Sequence, residues 1–214
     1  MFQIKSLITA YALLVVLAVT TSFAQPIISG QQSGTLGPET YIVNGDIQVL
    51  SGQTLTIMPG TVFLHNGNHT WEISGQLNAE GTETDSIKFV RQDPIDEHRW
   101  GGIRFLSGSS DQSSIDYCVI DHCFHDIFPF GNYGAGIFID GIYLEISNSR
   151  ISNCLNNWEG AGIYAYNATV ITSHCLIVDN STEGESNGGG IYLFNCPQGV
   201  IEYSVIARNA ATGT

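Results

Sequence analysis

The densest run of chemistry-bearing side chains is Asp121-His122-Cys123-Phe124-His125-Asp126. Histidine and carboxylate side by side can ligate a divalent ion or pass a proton as an acid–base pair. Asp121, His122 and Asp126 are therefore the candidates for catalysis. A different chemistry is spread over four separate stretches. Trp100 follows Asp93, Asp96, Glu97 and His98. Phe128, Phe130 and Tyr133 follow His125 and Asp126. Trp158 and Glu159 follow Asn156 and Asn157. Asn180, Glu183, Glu185 and Asn187 make the fourth stretch. Aromatic faces beside carboxylates and amides suit a sugar, whose ring stacks while its hydroxyls donate hydrogen bonds. Trp100, Phe128, Phe130, Tyr133, Trp158 and Glu159 are the candidates for such a glycan-binding strip. The competing expectation is that these aromatics fold back onto the apolar edges of the scaffold.

The scaffold can be read from a repeat. Gly134-Ala135-Gly136-Ile137-Phe138, Gly160-Ala161-Gly162-Ile163-Tyr164 and Gly188-Gly189-Gly190-Ile191-Tyr192 are copies of one pentapeptide, with a looser copy at Gly101-Gly102-Ile103-Arg104-Phe105. After each comes a second unit, Ile-x-x-small-x-Ile. It starts at Ile115, Ile146, Ile171 and Ile201. The spacing of roughly 25–31 residues lies in the range of solenoid repeats, in which loops absorb variation in length. Short runs rich in Val, Ile, Thr and Phe, punctuated by Gly, Pro and Asn, read as strands. No helical period is sustained after residue 24. The expectation is all-β, with three short strands per coil and three parallel sheets. Equivalent residues of adjacent coils then stack about 4.8 Å apart, and the four polar–aromatic stretches leave the same side of the solenoid.

On these residues the chain resembles the right-handed parallel β-helix (pectin-lyase-like) superfamily. The segments Ile47 to Phe63, Leu77-Asn78-Ala79-Glu80-Gly81-Thr82 and Trp100-Gly101-Gly102-Ile103-Arg104-Phe105 look like the opening of secreted bacterial β-helix repeat proteins. The resemblance covers roughly residues 39–214. It implies the solenoid fold but no single activity. Ile120-Asp121-His122 is similar to an element of pectate lyases, with Val119 where that family has Trp. Its calcium-binding carboxylates and catalytic Arg have no clear counterparts here. Calcium is the one cofactor the resemblance suggests; the residues themselves call for none. The motifs of polygalacturonases are absent. A pair of carboxylates about 5–10 Å apart, as glycoside hydrolysis needs, could be met by many Asp/Glu combinations.

Residues 1–24 read as a secretory signal peptide. Lys5 is followed by an apolar run from Leu7 to Val19 and by Ser22-Phe23-Ala24. The run is shorter than the ~20 residues of a membrane span, and no second apolar stretch of that kind follows. The expected location is secreted, extracellular or at the cell surface. Residues 25–38, rich in Gly, Ser, Gln and Pro, read as a linker, and 39–214 as the β-helix. The last residues carry no polar cap, so the β-helix is expected to be truncated at its C-terminus. The formal charge is −13, and loss of the leader removes Lys5 but no acid. Such a surface disfavours nucleic acid and anionic lipid, and a polyanionic glycan would need a bridging cation. The five cysteines are too few for a disulfide-stapled mini-domain. Cys123 and Cys154 share one register position, so either a disulfide between coils or two stacked thiols is expected. The reading leans to a non-catalytic glycan-binding, adhesive or structural module whose partner is a polysaccharide or surface glycan. A polysaccharide lyase or glycoside hydrolase is the alternative.

Overall fold

The computed structural model describes residues 24–95, 98–125, 133–183 and 186–212. Every regular element among them is a β-strand, and all strand pairings are parallel. One coil shows the plan. Ile137–Asp140 forms a first face, Tyr143–Ser147 a second and Arg150–Ser152 a third. Each pairs with its counterpart one coil later, namely Ile163–Tyr166, Thr169–Ser173 and Leu176–Val178. The chain is a parallel β-helix, as the repeat predicts.

Two boundaries differ from expectation. Beyond the three faces, the later coils carry a fourth two-residue strand, seen at Phe124–His125, Leu155–Asn156, Ser181–Thr182 and Ala210–Ala211. A corner turns the chain after the third face, and two residues pair before the loop departs. Residues 25–38 are also not a linker. Ile27–Gln31 pairs with Thr40–Val49, and Gly34–Leu36 with Thr54–Ile57, so this stretch opens the solenoid. Its Ser, Thr and Gln side chains face outward and its glycines carry none, which hides the strand pattern from a hydropathy reading. Thr40–Val49 runs unbroken from the third face to the first, pairing with Val62–His65 through its first half and with Trp71–Ile73 through its second.

Alternation places the core. Ile103, Ile137 and Ile163 form one fully buried inward column, and Ile120, Ile151 and Ile177 another. Corners recur in register. Tyr117, Asn148, His174 and Tyr203 all have positive φ between the second and third faces; His122, Asn153, Asp179 and Arg208 do so after the third. In the pentapeptide the glycines act differently. Gly160 adopts φ +67°, a region that costs L-residues about 1–2 kcal/mol. Gly162 is required by space, because a Cβ there would lie 2.4 Å from the Gly190 carbonyl oxygen.

The third copy of the Ile-x-x-small-x-Ile unit is shifted by one residue from its expected register. Ile146 pairs with Thr172, not Ile171, and Ile151 with Ile177. Thr172 and Ile177 are buried while Leu176 is 38% exposed. A one-residue slip exchanges the faces of a strand, so Ile171 and Leu176 are outward apolar residues that imitate the inward pattern. The true column following Cys123 and Cys154 is Asn180 and Asn209. The Asn180 Oδ1 accepts from the Cys154 amide at 3.0 Å, and the Asn209 Oδ1 from the Asn180 amide at 3.0 Å. This interior amide ladder satisfies backbone donors that the corners leave unpaired.

Candidate functional site

The alternation that sends Ile137, Ile163 and Ile191 inward sends the next residue outward. On the first face Arg104, Phe138, Tyr164 and Tyr192 stand in register across four coils. Phe138 and Tyr164 stack with centroids 5.6 Å apart and planes 1° from parallel; Tyr164 and Tyr192 stack at 5.6 Å and 15°. Two residues further along the same strands runs a second column, Asp140, Tyr166 and Phe194, whose rings stack at 5.6 Å. Between the columns lies an open groove of about 450 Å³, lined by Tyr133, Phe138, Asp140, Glu159, Tyr164, Tyr166, Tyr192 and Phe194. Lateral reach comes from the loops. Tyr133 stacks on Tyr164 at 4.7 Å and meets Trp158 edge-on at 6.5 Å. The Asn187 Nδ2 donates to Glu159 Oε1 at 3.2 Å.

The electrostatics of the groove are one-sided. Asp140 and Glu159 are its charged lining residues, and among the described residues neither Lys nor Arg joins them. Burial and then the Glu159 charge push the Tyr164 hydroxyl well above the usual phenol range. Tyr192 moves the same way, through burial and then its interaction with Glu159. Both phenols stay neutral donors at any physiological pH. Arg104 closes one end of the first column, its guanidinium carbon 4.1 Å from the Phe138 ring centre. Its Nη1 donates to the carbonyls of Tyr133 and Gly134 at 3.0 and 3.3 Å. Burial lowers it to about 10, opposed by Glu72 on the neighbouring strand. This cation is held by the scaffold.

Of the expected strip, Tyr133, Trp158 and Glu159 come together at the groove. Phe128, Phe130 and Asp126 lie outside the described residues. Trp100 does not belong to it. Its side chain is fully buried, stacked on His65 at 4.0 Å, with the indole N–H donating to the Asp121 carbonyl at 2.8 Å. The cause is register: Trp100 bridges Cys123 in parallel, so it fills the inward slot held by Cys123, Cys154 and Asn180 in later coils. Sequence reasoning missed Phe138, Tyr164, Tyr166, Tyr192 and Phe194. Their signal is the period-2 alternation within the pentapeptide strand, which puts the aromatic opposite in direction to the isoleucine.

Asp121 and His122 form a corner clamp. The Asp121 carboxylate accepts from Ser152 Oγ at 2.6 Å, from Asn153 Nδ2 at 2.8 Å and from His122 Nδ1 at 2.5 Å. Burial pushes its carboxyl up, but these hydrogen bonds outweigh it and the net shift is downward. The preceding corner repeats the device: Asp116 accepts from Ser147 and Asn148, each at 2.8 Å. Two corners with one arrangement identify a structural joint. His125 is buried, and burial and then Arg104 lower it to about 4. Among the described residues no three His, Cys, Asp or Glu side chains converge as a metal site needs.

The Cys123–Cys154 disulfide is not formed, and all five cysteines are free thiols. In-register neighbours on parallel strands keep parallel Cβ directions at about the 4.8 Å sheet spacing, whereas a disulfide draws its Cβ atoms to about 3.8 Å. Burial, then the neighbouring Cys154, pushes the Cys123 thiol far up. Among the described residues no helix is long and apolar enough to cross a membrane.

No curated protein and no solved structure matches the chain. The family described as right handed beta helix region matches residues 94–214, more than half of its length. With the coil register and the parallel sheets, that match shows that the chain belongs to the right handed beta helix family.

Proposed function

We propose that this protein is an exported β-helix module, secreted or held at the cell surface, that binds a glycan along the aromatic groove without transforming it. The observation that carries this reading is the pair of outward aromatic columns enclosing the groove. Tyr166 and Phe194 are 39% and 50% exposed, and Trp158 is 51% exposed beside them. Large apolar rings left in water side by side mark interaction sites. Carboxylates and phenol groups at the same groove supply partners for sugar hydroxyls. Export, a leader at residues 1–24 and kinship with pectin-lyase-like proteins belong to the same reading, carried by the sequence pattern. The test is a binding titration against neutral, amino-substituted and acidic oligosaccharides, followed by the intrinsic fluorescence of Trp158. Saturable binding lost in Tyr166→Ala and Phe194→Ala supports it; equal binding by those variants overturns it.

A glycoside hydrolase is the second reading, favoured by the presence of both Asp140 and Glu159 in the groove. Two carboxylates flanking a bound sugar are the minimum for that chemistry. Reducing-end release from the bound oligosaccharide, abolished in Asp140→Asn, would establish it in place of simple binding.

A further inference from the structure

We infer that the groove selects glycans bearing free ammonium groups, that is, polymers of deacetylated amino sugars, over neutral and uronate polymers. The inference rests on the glycan-binding reading and names the class of glycan. Among the described residues, six aromatic rings and two carboxylates line the groove, and no basic side chain does. Tyr164 is enclosed by its stacked neighbours, but Tyr166 and Phe194 keep ring surface open; such rings attract an ammonium, and the two carboxylates of the same groove pair with it. The first column already holds one cation in this way, Arg104 over Phe138 at 4.1 Å. Arg104 does not serve a uronate, because it is buried, its Nη1 donates to the carbonyls of Tyr133 and Gly134, and Glu72 on the neighbouring strand already balances its charge. The whole-chain charge of −13 adds long-range attraction for a polycation and repulsion for a polyanion. The groove also has the geometry of a polymer site. Its columns cross three coils along the solenoid axis, from Phe138 to Tyr192 and from Asp140 to Phe194. Successive amino sugars would meet repeated rings, not a single pocket.

The experiment titrates the full chain with three oligosaccharides of matched length: a fully deacetylated glucosamine oligomer, its N-acetylated counterpart and an oligogalacturonate. The expected result is binding of the glucosamine oligomer at least about fivefold tighter than the N-acetylated one at low ionic strength, with the preference shrinking as salt is raised. Asp140→Asn and Glu159→Gln should each lower affinity for the glucosamine oligomer about two- to fivefold and bring the ratio of the two affinities toward one. The salt series needs no variant, so it reads the inference even if a substitution perturbs folding. Equal or tighter binding of the N-acetylated oligomer, or binding of the oligogalacturonate, overturns the ammonium inference and leaves the glycan groove standing. Absence of binding by all three overturns the glycan-binding reading and the inference with it.

Discussion

Two aromatic clusters divide the solenoid, one inside its early coils and one outside its later coils. In the early coils Tyr41, Phe63 and Phe89 stack through the interior at 5.5 and 5.1 Å. Trp71 meets Phe63 and Phe89 edge-on, and Trp100 lies on His65. In the later coils the interior holds smaller side chains, Ile, Leu, Val, Ala and Cys with Thr172 and Asn180 among them, and the rings move to the outer surface as the two groove columns. Both clusters obey the same rule, that equivalent positions of parallel coils stack. They differ in face and in direction: the interior stack Tyr41, Phe63 and Phe89 points inward from the third face, and the groove columns point outward from the first. Inside, stacking fills volume and excludes water, so its return is stability. Outside, the stacking covers Tyr164 but leaves ring surface of Tyr166 and Phe194 in water, where it adds little to folding and is available to a ligand.

The comparison can be broken at its strongest point first. Phe63→Ala or Trp100→Ala removes a fully buried ring and should cost about 3–5 kcal/mol, measured by denaturant unfolding. If either costs less than about 1 kcal/mol, the interior cluster is not what holds the early coils. The next effect is on pH. His65 accepts from Trp71 Nε1 at 2.9 Å through Nε2 and donates from Nδ1 to the Val90 carbonyl at 2.9 Å, as a neutral ring. Burial lowers it from 6.5 to about 3, partly offset by that backbone bond. The unfolded chain takes up this proton near pH 6.5 and the folded one only near pH 3. Stability should therefore hold above pH 6.5 and fall as pH drops between those values, by on the order of 4 kcal/mol from this residue. Chemical denaturation of the parent and of His65→Asn across that window reads the effect; an unchanged slope in the variant refutes it.

Smaller effects belong to the outer cluster. Tyr164→Ala removes the middle ring of a column and its three stacked pairs, with Phe138, Tyr192 and Tyr133, and should cost about 1.5–4.5 kcal/mol at roughly 0.5–1.5 per aromatic pair. Trp158→Ala should change stability by no more than about 0.5 kcal/mol, as exposed substitutions do, while weakening glycan binding. The two tryptophans make the sharpest contrast. Both were candidates for one strip, yet one should report on folding alone and the other on binding alone. A large stability loss in Trp158→Ala would erase the distinction between the clusters.

The fold was legible because a solenoid writes its register into the chain many times. Columns such as Ile103, Ile137 and Ile163 could be aligned by eye, and the side from which the loops depart followed from the alignment. Legibility failed where one position could be satisfied by either of two neighbours. Ile171 and Thr172 both suit a strand, and only packing against Ile146 tells which points inward. Trp100 was misplaced because an inward slot held by Cys and Asn in other coils gave no hint that a tryptophan would fit. The first strands were missed because they carry few apolar side chains and are ordered by pairing with the coil above them. The groove was half legible: the alternation that buries Ile163 also turns Tyr164 outward, but the lining is completed by Tyr133 and Glu159, which lie on loops whose paths the repeat does not fix.

The unbroken strand Thr40–Val49 has a wider consequence. It passes from the third face to the first with no loop, whereas later coils place a loop of varying length at that same point. Winding therefore does not depend on the loop, which is an optional insert at one seam of the tube. Loops at that seam form one lip of the groove, through Tyr133, Trp158 and Glu159. Exchanging or lengthening them should alter which glycan is held without rewinding a single coil, so the molecule keeps recognition and construction on separate accounts.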